Sequence, residues 1–210
     1  MRPIPKPMAA KVMAAAQLFA ERGLDGAKMS DIAAATGIPR ATLYYHFEGK
    51  EAVFSYMHTI IFEAFEEAVG AALKGPGSAA ERLSRVIRAQ IDIYAAHPLA
   101  LQALQLDLGR AARRPEITER SARTYVRPVA KLLEEGVVDG SLRKVAKPRA
   151  VAAALLGSIT IAAETLSSTD EHAVSELHDT LMSLFLKGLA AIPESADNHA
   201  AEVDAQAVVS

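Results

Sequence analysis

The stretch that decides the fold runs from Met29 to Phe54 and reads MSDIAAATGIPRATLYYHFEGKEAVF. Small and apolar side chains recur in its first part with the spacing of one helical face: Met29, Ile32, Ala33 and Thr36. Gly37 ends this segment, and a second short helical segment follows from Pro39 to Phe47. Pro39 suits the first turn of a helix, where its missing N–H would have no partner.

An amphipathic helix precedes this stretch. Its apolar face is formed by four residues with helical spacing: Val12, Ala15, Ala16 and Phe19. Gly23 follows two charged residues and is a natural stop signal. Three short helices with a tight glycine turn between the last two are typical of a helix-turn-helix.

The 26 residues from Met29 to Phe54 resemble the DNA-binding signature of the TetR family of regulators. The resemblance is carried by Asp31-Ile32-Ala33, Gly37, Thr42-Leu43-Tyr44-Tyr45-His46-Phe47 and Lys50-Glu51. It implies an all-α fold of about nine helices, in which a DNA-binding domain over residues 1–50 precedes a ligand-binding and dimerisation domain over residues 51–192. It also implies a homodimer that binds palindromic double-stranded operator DNA and responds to a small-molecule effector.

The recognition helix is predicted over residues 39–46. Ile38, Leu43 and Phe47 fall where they can pack on Ile32, Val12 and Phe19, which would leave Arg40, Ala41 and Tyr44 on another face. That face can enter a major groove. Arg40 can bond guanine O6 and N7, and Ala41 allows close approach to a base or contacts a thymine methyl.

Other side chains in this region are candidates for phosphate contacts, a role that the resemblance implies for several of them: Thr42, Tyr44, Tyr45 and His46. Lys50 stands at the start of the next helix, where its charge and the free N–H groups can hold a phosphate together. Lys28 occupies the usual place of a hydroxyl cap, so either Ser30 takes over the cap or Lys28 itself reaches a phosphate. Alternatively, the tyrosines are core aromatics, although two adjacent tyrosines point about 100° apart and cannot both be buried on one narrow face.

The rest of the chain is predicted to be helical, with Gly and Pro at the breaks. We expect a long helix from Lys50 to about residue 74, and further helices over about 79–96, 98–112, 115–137, 148–167 and 171–192. The resemblance places the dimer interface on the last two helices; an intramolecular core is the alternative. Residues 193–210 are rich in acids and small side chains and are predicted to be a disordered tail.

Candidate effector contacts are polar or aromatic side chains on otherwise apolar helix faces of the body: Gln90, Tyr94, Gln105, Thr124 and Tyr125. They could orient a small, largely apolar ligand. The alternative is that each is a core polar group satisfied by a neighbour.

Composition restricts the remaining possibilities. The chain has no cysteine, and its six histidines lack metal-ligand spacing. Nucleotide-binding and hydrolase motifs are absent, so we expect no cofactor and no enzyme activity. The longest uncharged run, 150–163, is too short to cross a bilayer, which favours a cytoplasmic protein without a membrane partner.

Charge is unevenly distributed along the sequence. Residues 1–51 carry seven basic and five acidic side chains, whereas the remainder carries sixteen basic and twenty acidic ones. Any electrostatic attraction to phosphate therefore lies at the N-terminus. The main hypothesis is a repressor released from DNA by its effector. The alternatives are an architectural DNA-binding protein without an effector, and a helical small-molecule carrier or enzyme.

Overall fold

A computed structural model describes residues 4–106, 115–163 and 170–189. Within these ranges the chain is helical and contains no β-strand, as predicted. The helices are α1 (Lys6–Val12), α2 (Ala15–Gly26), α3 (Met29–Thr36), α4 (Arg40–His46), α5 (Lys50–Lys74), α6 (Ala79–Ala96), α7 (Pro98–Leu106), α8 (Pro115–Ser121), a π-helical turn (Ala122–Val126), α9 (Arg127–Val138), α10 (Pro148–Ala162) and α11 (Glu171–Leu189). Because α8, the π-helical turn and α9 are continuous, the described residues form ten helical rods. The additional rod relative to the sequence prediction is α1.

The N-terminal head, formed by α1 to α4, has its own apolar core. Its most deeply buried side chains are Val12, Phe19, Ile32, Leu43 and Phe47. The recognition helix therefore shares one core with Val12, Phe19 and Ile32, as predicted, although Val12 lies on α1 and not on the same helix as Phe19. Gly23 has φ +65° and ψ 175°, so the helical backbone of α2 is interrupted at the predicted stop.

The turn between α3 and α4 is held by Thr36 and Gly37. Gly37 has φ +64°, a left-handed conformation that costs any residue with a Cβ. The buried Thr36 hydroxyl donates to the carbonyl of Ile32 at 2.7 Å and accepts from the N–H of Ile38 at 3.3 Å. These bonds fix the angle at which α4 leaves α3.

The starts of α3 and α4 differ in detail from the sequence prediction. Pro39 is the N-cap of α4 (φ −54°, ψ 138°), and the first helical residue is Arg40. Lys28 is the N-cap of α3 without a side-chain capping bond, so the cap does not shift to Ser30. Asp31 in the first turn pairs with Arg22 at 3.1 Å and places a negative charge where the helix dipole favours it.

The 25-residue helix α5 belongs to both apolar cores. Val53 and Phe54 lie in the core of the head, whereas Phe65 and Val69 lie in the core of the body. A change in the direction of α5 would therefore affect both the core of the head and the core of the body.

Helix α7 packs on α2. Ala100 and Ala103 are buried in the head core, although α7 follows the body helix α6. Their small side chains allow the two helices to approach closely. The head is therefore held by α5 and by α7, and the contact with α7 was not predicted.

The body packs around α6, whose N-terminus is capped twice. Ser78 and Glu81 form a capping box, and the Asp139 carboxylate accepts from the Ala79 N–H at 2.7 Å. Gly136 lies inside α9, which ends at Val138, one residue beyond the predicted end. A Cβ at Gly136 would lie 2.5 Å from Leu142 Cδ1, so the returning loop needs glycine there.

Helices α10 and α11 each bury an apolar face in the body core, and each also exposes an apolar side chain, Ile161 on α10 and Leu184 on α11. Ala152, Leu155 and Leu181 point into the body core, as the intramolecular alternative requires. Gly157 is exposed, and Leu184 has 66% of its surface exposed. The two helices predicted to form the dimer interface therefore contribute to the body core and to the surface as well.

No helix in the described ranges is both long and apolar enough to span a membrane. The predicted tail over 193–210 lies outside the described residues.

Candidate DNA interface and effector site

Helix α4 exposes the face that was predicted to read DNA. Arg40 and Ala41 are exposed, and Tyr44 and Tyr45 have 49% and 59% of their surfaces exposed. Leu43 on the opposite face is completely buried. The aromatic pair is therefore not part of the core, and the helix is anchored by other side chains.

The exposed side chains of α4 also contact one another. The Arg40 guanidinium lies 5.7 Å from the centre of the Tyr44 ring, within cation–π range. The Tyr45 and His46 rings meet edge to face at 4.9 Å between centroids. Thr42 and His46 are half-buried at the border of this surface. Lys28 is exposed as well, so the predicted DNA contacts supply cationic, hydroxyl and imidazole groups at the surface of the head.

Lys50 has an internal role that the sequence did not predict. Its Nζ donates to the carbonyl oxygens of Asp25 at 2.8 Å and Ala27 at 3.2 Å, in the connection between α2 and α3. An ammonium group has three N–H donors, so one remains for a phosphate. Backbone carbonyls at the end of a helix carry no residue-type signal, which is why sequence reasoning missed them.

In the body, Gln90 and Tyr94 belong to one buried polar network. Gln90 Nε2 donates to the Leu156 carbonyl at 3.0 Å and lies 3.4 Å from the Tyr94 hydroxyl. The Tyr94 hydroxyl lies 2.6 Å from Thr160 Oγ1. Burial raises the pKa of Tyr94, against the lowering effect of its hydrogen bonds to Thr160 and Gln90. Thr160 was not predicted, because it lies 66 residues from Tyr94 in the chain.

Thr124 and Tyr125 lie on the π-helical turn between α8 and α9. The N–H of Arg127 bonds to the carbonyl of Ala122, five residues back, and Pro128 follows without an N–H to donate. Such turns are frequent at functional sites. Tyr125 is fully buried, and its ring stacks on Phe65 at 5.7 Å between centroids. Burial raises the pKa of Tyr125, so its hydroxyl stays protonated.

The remaining predicted effector residues are less informative. Thr124 Oγ1 donates to the Arg120 carbonyl, four residues back, which is a local helix bond. The side chain of Gln105 lies outside the described part of the structure. Tyr94 and Tyr125 belong to one apolar cluster of the body, and the buried Gln90 bonds to Tyr94.

An ion pair that was not predicted ties α8 to α5. The Arg120 guanidinium binds both carboxylate oxygens of Glu66, at 2.7 and 2.9 Å, and lies over the ring of Phe62. The hydrogen bond from Arg120 holds the pKa of the Glu66 carboxyl below its usual range. Among the described residues, no group of three or more His, Asp or Glu side chains could hold a metal ion.

A helix-turn-helix with an exposed basic and aromatic face, carried on a larger helical body, defines a DNA-binding transcriptional regulator. The model of the tetR family of bacterial regulatory proteins matches residues 12–57, and that of the tetracyclin repressor-like C-terminal domain matches residues 76–189. The chain therefore belongs to the tetR family.

Individual relatives agree with this assignment. The HTH-type transcriptional repressor DhaR of Mycobacterium sp. (strain GP1) is 28% identical over 145 residues, which cover 68% of this chain and 73% of DhaR. The ketosteroid transcriptional regulator KstR2 of Mycobacterium tuberculosis has a TM-score of 0.77 at 19% identity, covering 90% of this chain and 98% of that one. AibR in complex with isovaleryl coenzyme A and operator DNA has a TM-score of 0.70 at 22% identity, and the match covers 86% of this chain and 98% of that one. The two structures show the same fold.

Proposed function

We propose that this chain is a cytoplasmic, homodimeric repressor that leaves a palindromic operator when a small, largely apolar effector binds its body. The observation that carries the DNA-binding part is the outward face of α4, where Arg40, Ala41 and Tyr44 are exposed on a helix anchored by buried Leu43. In this proposal residues 1–50 bind DNA and residues 51–192 bind the effector and the partner subunit. No catalytic step is involved.

The contacts with DNA divide into two kinds. Arg40 and Ala41 face the bases, where a bidentate arginine–guanine contact contributes about 1–3 kcal/mol of discrimination. We assign Thr42, Tyr44, Tyr45, His46 and Lys28 to the phosphates on either side of the groove, where contacts set register more than sequence. We assign Lys50 mainly to holding the α2–α3 connection in place, because two of its three N–H donors bind carbonyls there.

Two recognition helices in one dimer must be about 34–36 Å apart, or a multiple of that distance, to enter successive major grooves. The outer faces of α10 and α11 expose the apolar side chains of Ile161 and Leu184. Pairing of these faces between two copies would bury these side chains and fix the distance between the heads.

The effector part rests on the buried polar groups of the body. In an architectural DNA-binding protein without an effector, the buried polar groups of the body would bond to one another. Gln90 Oε1 and the Tyr125 hydroxyl instead have no hydrogen-bond partner among the described residues. AibR, a structural neighbour, was solved together with isovaleryl coenzyme A and operator DNA, so this fold holds both kinds of ligand. Effector binding would shift α5 and α7, which both contact the head.

The test is a fluorescence-anisotropy titration of the full-length protein against DNA from its own upstream region, in a salt series, with a scrambled duplex for comparison. We expect selective, salt-dependent binding, and Arg40→Ala should reduce the preference for the operator by about 5- to 150-fold. Arg88→Ala is the matched control, since it removes the same charge from a body side chain that pairs with Asp92. Unchanged selectivity in Arg40→Ala, or no DNA binding by the folded protein at low salt, would contradict the proposal.

A further inference from the structure

Among the buried polar atoms that have no hydrogen-bond partner within the part of the chain that the structure describes, two belong to completely buried residues of the body: Gln90 Oε1 and the Tyr125 hydroxyl oxygen. Both residues have 0% of their surface exposed. Unsatisfied buried groups are costly and uncommon in folded proteins, and each therefore points to a missing partner. Helix α10 packs against both α6, which carries Gln90, and the π-helical turn, which carries Tyr125.

The orientation of Gln90 follows from its neighbours. A backbone carbonyl only accepts, so the Gln90 atom that faces the Leu156 oxygen must be the amide nitrogen. Thr160 donates its hydroxyl proton to the same carbonyl at 2.6 Å, so the Tyr94 hydroxyl donates to Thr160 Oγ1. The Tyr94 oxygen can then accept only from Gln90 Nε2. Both amide protons of Gln90 are therefore used, and Oε1 is left as a free acceptor.

Tyr125 provides the complementary group. Because its ring is stacked on Phe65 and its hydroxyl stays protonated when buried, it can donate to an acceptor atom of a ligand. The core cluster to which Tyr125 belongs is otherwise largely apolar and includes Ile87, Ile91 and Ile159.

We propose that the effector is an uncharged, mainly apolar molecule with a hydroxyl group, which donates to Gln90 Oε1 and accepts from the Tyr125 hydroxyl. This inference rests on the proposed function, since it names the ligand of the same body site. A single hydroxyl oxygen supplies both the donor and the acceptor that the two side chains lack. An ether of the same size supplies only the acceptor.

A carboxylate fits poorly at this position. It cannot donate to Gln90 Oε1, and a buried negative charge needs a cation. The guanidinium on the neighbouring helix α8, that of Arg120, is bound at both ends to Glu66. The polar groups therefore select a neutral ligand.

The experiment is calorimetric titration of the full-length protein, without DNA, with two pairs of isomers as probes. These are n-octanol against heptyl methyl ether, and cyclohexylmethanol against cyclohexyl methyl ether, with octanoate as the charged comparison. We expect at least one alcohol to bind at least about tenfold more tightly than its ether, because a site built for a hydroxyl rejects the analogue that lacks one. Octanoate should bind more weakly than n-octanol.

Three variants separate this chemistry from a general loss of structure. Gln90→Leu should abolish the preference for the alcohol, and Tyr125→Phe should weaken alcohol binding by about fivefold or more. Tyr125→Phe should also leave the Tm of the free protein unchanged or raised, because it removes an unsatisfied hydroxyl. Tyr56→Phe, a half-buried tyrosine on α5, is the matched control and should change neither quantity.

Equal binding of alcohols and ethers, no saturable binding by any of the probes, or a Tm of Tyr125→Phe several degrees below that of the wild type would each overturn the inference. The outcome is independent of DNA binding. A protein that prefers the alcohols but ignores its operator would retain this site and refute the proposed function instead.

Discussion

The internal bonds of Lys50 lead to an expectation opposite to that for an ordinary phosphate-binding lysine. Lys50→Met keeps most of the aliphatic stem and removes the ammonium that joins α5 to the carbonyls of Asp25 and Ala27. If these bonds are the main role of Lys50, the variant loses stability in the head. If phosphate binding is the main role, the variant loses part of the salt dependence of DNA binding.

The two effects differ enough to be measured separately. A hydrogen bond to a charged group contributes about 1.5–3 kcal/mol when buried, and less where water can replace the lost donor. The bond to Asp25 is exposed and the bond to Ala27 is partly buried, so we expect Lys50→Met to lower the free energy of unfolding by about 1–3 kcal/mol in total. Loss of one phosphate contact would instead reduce the slope of log affinity against log salt by about 0.9, which is about 3.5-fold in affinity between 50 and 200 mM salt.

The assay combines urea denaturation with anisotropy titrations over that salt range. Lys28→Met is the control, because Lys28 is exposed at the N-cap of α3 and its ammonium has no described bond. We expect the destabilisation in Lys50→Met with an unchanged salt slope, and the reduced slope with unchanged stability in Lys28→Met. A Lys50→Met variant of wild-type stability whose salt slope falls by about 0.9 would refute the reasoning.

Three further changes test other parts of the structure. Leu43→Ala opens a cavity under the recognition helix and should cost about 2–5 kcal/mol in urea unfolding, and a smaller loss would show that α4 is not anchored there. Leu184→Arg places a charge on the exposed face of α11 and should convert dimers to monomers in light scattering, while a dimer of wild-type affinity would exclude that face. The pKa of Glu66 in the folded protein is lowered below its ordinary value of 4.5, so the pair with Arg120 stabilises the fold at pH values above 4.5. This stabilisation is lost as the pH falls through the lower pKa of the folded state. Glu66→Gln should therefore flatten the acid limb of stability against pH, and an unchanged limb would show that other carboxyls control it.

The parts of the molecule that were predictable from sequence are those in which local pattern and tertiary contact agree. The helical spacing around Ile32, the break at Gly37 and the aromatic run before Phe47 all lie within one short segment. The same segment buries its own apolar face, so the structure of the head follows from neighbours in the chain. Helix geometry alone predicted that Tyr44 and Tyr45 are not both buried, and both are in fact exposed.

Contacts between distant segments were not predictable. Arg120 and Glu66 are 54 residues apart, and either could have been an ordinary solvated charge. Ala100 and Ala103 dock α7 on the head through small side chains, which are common on any helix and give no signal of a partner. The acceptors of Lys50 are backbone oxygens, which every residue carries.

These distant contacts give the effector site a physical connection to the head. Tyr125 stacks on Phe65 of α5, and Arg120, on α8 just before the π-helical turn, is bound to Glu66 of the same helix. Closer to the N-terminus of α5, the ring of Phe54 packs edge to face on the ring of Phe19 of α2, with 4.9 Å between the ring centroids. A ligand that draws the Tyr125 hydroxyl towards itself therefore acts on a rod whose other end lies in the head core. The connection becomes regulation only to the extent that the ligand binds one arrangement of α5 more tightly than another, and operator DNA must then weaken effector binding by the same factor.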